Sequence, residues 1–193
     1  MPASTRDRII EASTALFMQR GLAGSGLKQI AAESEATIGS LYHWFPGGKD
    51  ELAAETLRAS GAAYQTLVEA VLDAAPDIVT AVSDCFSGAA EALRASGYAD
   101  ACPVATVALE VASSDERLRL VTAEVFESWL RAGTERFEGG GIDRARAREL
   151  ATLLVAGLEG GFLLSRAARD TAPMEAIGRV MTDLVRAEVG RRA

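Results

Sequence analysis

Apolar positions recur along this chain three and four residues apart, Gly or Pro interrupts them at helix-length intervals, and strand-like alternation is almost absent. Residues so spaced share one face of a 3.6-residue turn, so the pattern predicts helices throughout. Ser4 is placed to cap a first helix over about residues 5–20, with Ile9, Ala12, Leu16 and Phe17 as its apolar stripe and Gly21 as its stop. Ser25 or Gly26 opens a second helix with Leu27, Ile30 and Ala31 inward. A short third helix runs from about Ile38 to Trp44, with Thr37 as its N-cap and Phe45-Pro46-Gly47-Gly48 as its break. A long fourth helix starts near Lys49, carries Asp50 and Glu51 in its first turn, and extends to about Ala74. A fifth fits Asp77 to Ser96, and a sixth has Pro103 at its first position. Ser113 and Glu116 have capping-box spacing for a seventh that ends at Gly139-Gly140-Gly141. An eighth spans about Asp143 to Arg169, and a ninth starts at Pro173 and ends near Val189. The expected fold is all-α, with about nine helices.

The second and third helices carry the chemistry. Leu27, Ile30 and Ala31 hold one down, and Leu41 and Phe45, four apart, hold the other. The connection through Ser34-Glu35-Ala36 is too short for antiparallel packing, so the pair reads as a helix-turn-helix. In that motif the second helix enters the DNA major groove by its N-terminal end. Thr37, Gly39 and Ser40 are small enough there to approach base edges. Tyr42, His43 and Lys49 are suitable phosphate donors beside them, as are the backbone N–H groups of the third helix and of the start of the fourth. Trp44 and Lys28 fall at the rim of this surface, and Trp44 has the alternative of packing on the first helix.

Composition narrows the rest. The 193 residues carry a formal net charge of −7, with one His and two Cys. Residues 1–60 hold six Lys/Arg against seven Asp/Glu, so the acidic excess lies in the C-terminal two-thirds. Non-specific DNA affinity is therefore expected to be modest, with specific binding dependent on a dimer and placed contacts. A single histidine all but excludes a His/Cys zinc site, and no nucleophile elbow, dinucleotide fingerprint or phosphate loop is present. No metal and no cofactor is expected. The start "MPASTRDRII" lacks a signal-peptide core, and no run of eighteen apolar residues occurs, so the reading is a cytoplasmic protein with no membrane span. Cys85 and Cys102 read as small buried hydrophobes, with a redox switch as the alternative.

The segments "RIIEASTALFMQRG", "GLKQIAAES" and "IGSLYHWFPGGKDEL" resemble the tetracycline-repressor (TetR) family of bacterial transcription regulators. Ile-Ala, a turn, Gly-x-Leu-Tyr-x-x-Phe and a following Lys-x-x-Leu make up the resemblance, which covers about the first 60 residues. "FPGGKDEL", "CPVATVALE" and "LLVAGLEGGFLLSRAARDTAPM" are similar to the branch that contains repressors of lincomycin and multidrug efflux genes. The resemblance implies a helix-turn-helix DNA-binding domain at residues 1–48 and a ligand-binding and dimerisation domain at 49–193. It also implies a homodimer on a double-stranded DNA operator, and a small-molecule effector. Carried over by position, Thr37, Gly39 and Ser40 face bases, and Tyr42, His43 and Lys49 face phosphates. The chain departs from many members at Glu35, where they have glycine, at Ile38, where they have Lys or Arg, and at Gly26, where they have threonine.

Within such an architecture some core aromatics must line the effector cavity, since pockets between bundle helices are apolar with few polar groups. Phe86, Phe126 and Trp129 are the candidates, with Glu110 as a polar anchor. Ala156, Gly157, Gly160 and Gly161 form a helix face nearly without side chains; glycine costs about 1 kcal/mol there relative to alanine, which close helix approach offsets. The two readings are tight packing within one chain and a two-fold dimer contact with Leu153, Leu164 and Ile177 as apolar partners. The expected function is a ligand-responsive homodimeric regulator, a repressor released by a small apolar effector. Its rivals are a helical enzyme using paired carboxylates such as Glu124 and Glu127, a protein-interaction bundle, and a redox-sensing regulator built on Cys85 and Cys102.

Overall fold

A computed structural model describes residues 3–191. Among them are nine helices and no strand: α1 (Thr5–Arg20), α2 (Leu27–Glu33), α3 (Ile38–Trp44), α4 (Gly48–Ala74), α5 (Ile78–Ala95), α6 (Pro103–Val111), α7 (Glu116–Gly139), α8 (Arg144–Ala168) and α9 (Ala172–Gly190). Their ends follow local chemistry. Ser4 and Asp7 form a reciprocal capping box at α1. Asp77 accepts from the Thr80 N–H at α5 and Asp143 from the Arg146 N–H at α8. One cap differs from expectation. The Asp115 carboxylate, not Ser113, accepts the Leu118 N–H at the start of α7, at 2.9 Å, while the Ser114 hydroxyl turns back to the Glu110 carbonyl. Asp sits one residue before the helix, where a carboxylate reaches the third N–H and faces the positive end of the dipole.

The chain forms two compact units, one of residues 1–63 with 100–125 and the other of residues 64–99 with 126–193. In the first, α1 packs on α2, α3 and α6. Ile9, Phe17, Ile30, Leu41, Phe45, Leu52 and Leu57 are closed off from solvent there. The Glu110 carboxylate on α6 accepts the backbone N–H groups of Leu22 at 3.0 Å and Ala23 at 2.7 Å, which fixes the turn after α1.

In the second unit α9 packs on α5 and α8. Phe86, Phe137, Leu150, Leu154, Met174 and Val185 fill the space between. Gly178 lets the Phe86 ring approach α9, since a Cβ there would lie 2.6 Å from the Phe86 Cβ. Arg146 donates to Glu188 at 2.6 Å, tying the start of α8 to the end of α9. By length and composition α8 is long and apolar enough to cross a membrane, although no unbroken apolar run marks it in the sequence. Its buried face belongs to the core against α5 and α9, as in a core helix.

Candidate nucleic-acid interface

The short helix α3 is pinned by two side chains. Leu41 is fully buried and Phe45, at its C-cap, is 1% exposed. The Arg6 guanidinium lies 5.7 Å from the centre of the Phe45 ring and donates to Glu55 at 2.8 Å, which closes the outer side of this anchor. Everything else on the helix faces outward. Ile38, Gly39, Tyr42, His43 and Trp44 are exposed and Ser40 is half-exposed. A helix of seven residues that buries one apolar edge and leaves the other edges polar and aromatic is not a core element.

The turn that aims α3 is a Schellman motif. The Ala36 N–H donates to the Ala31 carbonyl at 2.9 Å and the Glu35 N–H to the Ala32 carbonyl at 3.1 Å. This geometry requires a left-handed residue after the helix, and Glu35 supplies it at φ 52°. Glycine at this position in many TetR members has the same physical origin. Arg8 on α1 donates to the Ser34 carbonyl at 3.1 Å and anchors the turn from outside.

Thr37 caps α3. Its hydroxyl accepts the Ser40 N–H at 3.0 Å and lies 2.9 Å from the Ser40 hydroxyl. The two hydroxyls therefore sit as a pair at the N-terminal end of the helix, with exposed Gly39 between them. Behind them, the Tyr42 ring rests against Gly48, whose positive φ of 71° opens α4. Lys49 is half-exposed, Lys28 is exposed, and the His43 and Trp44 rings meet edge to face at 5.3 Å. Trp44 thus stays at the surface, 42% exposed. Glu51 occupies the Gly47 N–H at 2.6 Å, so that amide at the entry to α4 is already committed.

The effector-pocket candidates separate. An apolar cavity in the second unit lies between α4, α7 and α8 and contains about 540 Å³ of empty space, part of it open to solvent. Trp129 lines it, and Phe126 backs Trp129 edge to face at 5.4 Å. Phe86 does not line it; that ring is packed in the core against Gly157 and Gly178. Glu110 does not line it either, because its carboxylate is spent on the turn after α1. Tyr64, Gln65, Glu69 and Glu159 line it as well. A single polar residue in an amphipathic helix reads as solvated, and only packing reveals that it borders a hollow.

The small-residue face of α8 also separates. A Cβ on Gly161 would lie 2.5 Å from the Met174 sulfur, and one on Gly157 would lie 3.1 Å from Ile177, so these two glycines serve packing within the chain. Gly160 has nothing within 4 Å of its Cβ position, and Leu153, Ala156 and Leu164 are exposed beside it. Cys85 is buried, and burial beside Asp84 pushes its thiol up to about 11, which leaves almost no thiolate near neutral pH. Cys102 is buried as well and caps α6 through its sulfur. Glu124 and Glu127 are exposed and paired with Arg58 and Arg148, which is the pattern of a solvated face.

Residues 9–56 match the tetR family of bacterial regulatory proteins, and residues 78–180 match the C-terminal domain of LmrA/YxaF-like transcriptional regulators. The chain is 34% identical over 182 residues to the uncharacterized HTH-type transcriptional regulator YxaF of Bacillus subtilis, covering 94% of this chain and 95% of that one. It is 33% identical to the HTH-type transcriptional regulator LmrA of the same organism, covering 94% and 97%. Among solved structures, the TetR family regulator CifR, as a cysteine mutant complexed with 26 bp double-strand operator DNA, superposes with a TM-score of 0.79 at 21% identity, over 95% of this chain and 98% of that one. An N-terminal helix-turn-helix, a helical C-terminal part and these matches together place the chain in the tetR family of DNA-binding bacterial transcriptional regulators, with a C-terminal domain of the LmrA/YxaF-like kind.

Proposed function

We propose that the protein is a homodimeric, ligand-responsive repressor that reads a pseudo-palindromic operator with α3. The observation that carries this is the exposure of Thr37, Gly39, Tyr42 and His43 on a helix held from behind by Leu41 and Phe45. Thr37, Gly39 and Ser40 approach base edges, while Tyr42, His43 and Lys49 meet phosphates, with Lys28 and Trp44 at the rim. Reader residues 1–48 and ligand-binding and dimerisation residues 49–193 form the functional division. Operator DNA as the partner implies a cytoplasmic setting.

The exposed side of α8 supports the dimer reading. Only 33% of the most apolar stretch of α8 is buried within the chain. Leu153, Ala156, Gly160 and Leu164 lie along one exposed side of it. A stripe with a bare glycine at its centre admits a second helix closely, and a two-fold axis lets the same stripe meet itself. The two copies of α3 must then reach successive major-groove segments about 35 Å apart.

The cavity lined by Trp129 holds the effector. Because α4 contributes to that cavity and begins directly behind α3, its movement on binding changes the spacing of the readers. Full reversal of occupancy needs a preference of about 5.5 kcal/mol for the released state, shared between two sites in the dimer. A gel shift against the DNA upstream of the protein's own gene tests the reading. A discrete, competitor-resistant complex of two chains per duplex supports it, and binding no tighter than to unrelated DNA at physiological salt ends it.

A further inference from the structure

Lysine is scarce in this chain, and its placement is uneven. Of the 20 Lys and Arg residues, Lys28 and Lys49 alone are lysines. Each is the second residue of a helix, Lys28 in α2 and Lys49 in α4, so the pair brackets α3 along the chain. Neither ammonium is ion-paired or hydrogen-bonded among the described residues. The arginines of residues 1–60 are occupied instead. Arg6 donates to Glu55 at 2.8 Å, Arg8 to the Ser34 carbonyl at 3.1 Å, and Arg58 to Glu124 at 3.4 Å. Arg20 stands in the last turn of α1, where the helix dipole favours a cation. The lysines have no such structural duty. A cation in the first turn of a helix opposes the positive end of the dipole, so neither lysine supports the helix that carries it.

This division of labour separates folding from DNA affinity. Arginine holds the fold, and the two unpaired cations beside the reading helix are both of the type whose nitrogen can be acylated. Losing their charges takes residues 1–60 from a formal −1 to −3 and leaves every ion pair of the fold in place. On the reading of Lys49 as a phosphate contact with Lys28 at the rim, we propose that acylation of these two lysines by an activated acyl donor, an acyl phosphate or an acyl thioester, switches the protein off DNA. In that step the neutral amine attacks the acyl carbon and the Nζ–C bond forms. The C–O or C–S bond breaks, phosphate or thiolate leaves with the bonding electrons, and the nitrogen gives one proton to water. Each lysine becomes a neutral amide that no longer displaces counterions from phosphates.

The test treats the full chain with acetyl phosphate in one arm and acetyl coenzyme A in the other, maps acetylated lysines by mass spectrometry, and measures binding to the duplex upstream of the protein's own gene. Acetylated chain is expected to bind at least about tenfold more weakly at low salt, with the salt slope flattened by about one phosphate per lysine. Its melting should not fall, since the lost charges opposed the helix dipoles. The Lys28→Gln/Lys49→Gln chain should reproduce the weakening. The Lys28→Arg/Lys49→Arg chain should bind as the untreated protein does and stay indifferent to both reagents, which discounts acetylation elsewhere. Modification in one arm alone supports the switch and names the donor. Unmodified lysines in both arms, acetylated chain of full affinity, or an arginine variant that loses affinity equally overturns it and leaves the DNA reading in place. If the untreated chain binds the duplex no better than unrelated DNA, the two readings fall together.

Discussion

The Glu110 carboxylate occupies the space that a side chain at Gly21 would need. A Cβ at Gly21 would fall within bonding distance of Glu110 Oε1, and Gly21 itself holds φ 70° and ψ −179°, a region essentially reserved for glycine. Glycine therefore does two things here: it permits the backbone angle that ends α1, and it admits the carboxylate of α6 to the Leu22 and Ala23 N–H groups. Glu110→Ala should cost about 1–3 kcal/mol in denaturant unfolding, because those amides lose a charged acceptor. Gly21→Ala should cost more in the wild-type background than in Glu110→Ala, because only the former retains the collision. A double-mutant cycle with zero coupling between the two positions would contradict this.

Contacts to phosphates and to bases respond differently to salt. Lys49→Ala should weaken binding to all duplexes alike and reduce the salt slope of log K by about one phosphate. Ser40→Ala should leave that slope unchanged and reorder the preferred operator sequences. Fluorescence anisotropy over a salt series, on a small panel of operator variants, separates the two. An unaltered slope in Lys49→Ala would remove its phosphate role.

Glu35 carries a left-handed backbone and a negative charge beside the reading helix. Glu35→Gly should raise stability by up to about 1 kcal/mol, since glycine adopts this region without the Cβ collision. It should also tighten operator binding at low salt, with the gain fading as ionic strength rises. Tighter binding that is independent of salt would point away from charge.

The neighbouring glycines Gly160 and Gly161 should fail in opposite ways. A Cβ at Gly160 would stand in open space, so Gly160→Glu should leave the helical signal and melting of the subunit intact while sedimentation shows monomers and operator binding falls. Gly161→Leu would push into Met174 and should destabilise the subunit itself, as overpacking typically costs about 1–3 kcal/mol. A dimeric Gly160→Glu variant would exclude this side of α8 from the contact.

Much of the molecule is legible without coordinates, because helix ends are local events. A serine, aspartate or proline at a helix start, and a glycine at its stop, satisfy or remove backbone groups within four residues, and the periodic stripe states which side is buried. Thus Ser4 and Thr37 stand at the caps their sequence positions suggest, and Leu41 and Phe45 are buried as their spacing requires. Ser113 misled because Asp115 competes for the same amides two residues later, where its carboxylate meets them more directly. Distant pairings are another matter. That Glu110 spends its charge on Leu22 and Ala23, that Gly161 faces inward while Gly160 does not, and that Glu69 and Glu159 border one hollow with Trp129 all depend on which helices come to lie together. Periodicity gives each helix a face, but the partner of that face is chosen by packing among many segments at once, and only the folded structure records the choice.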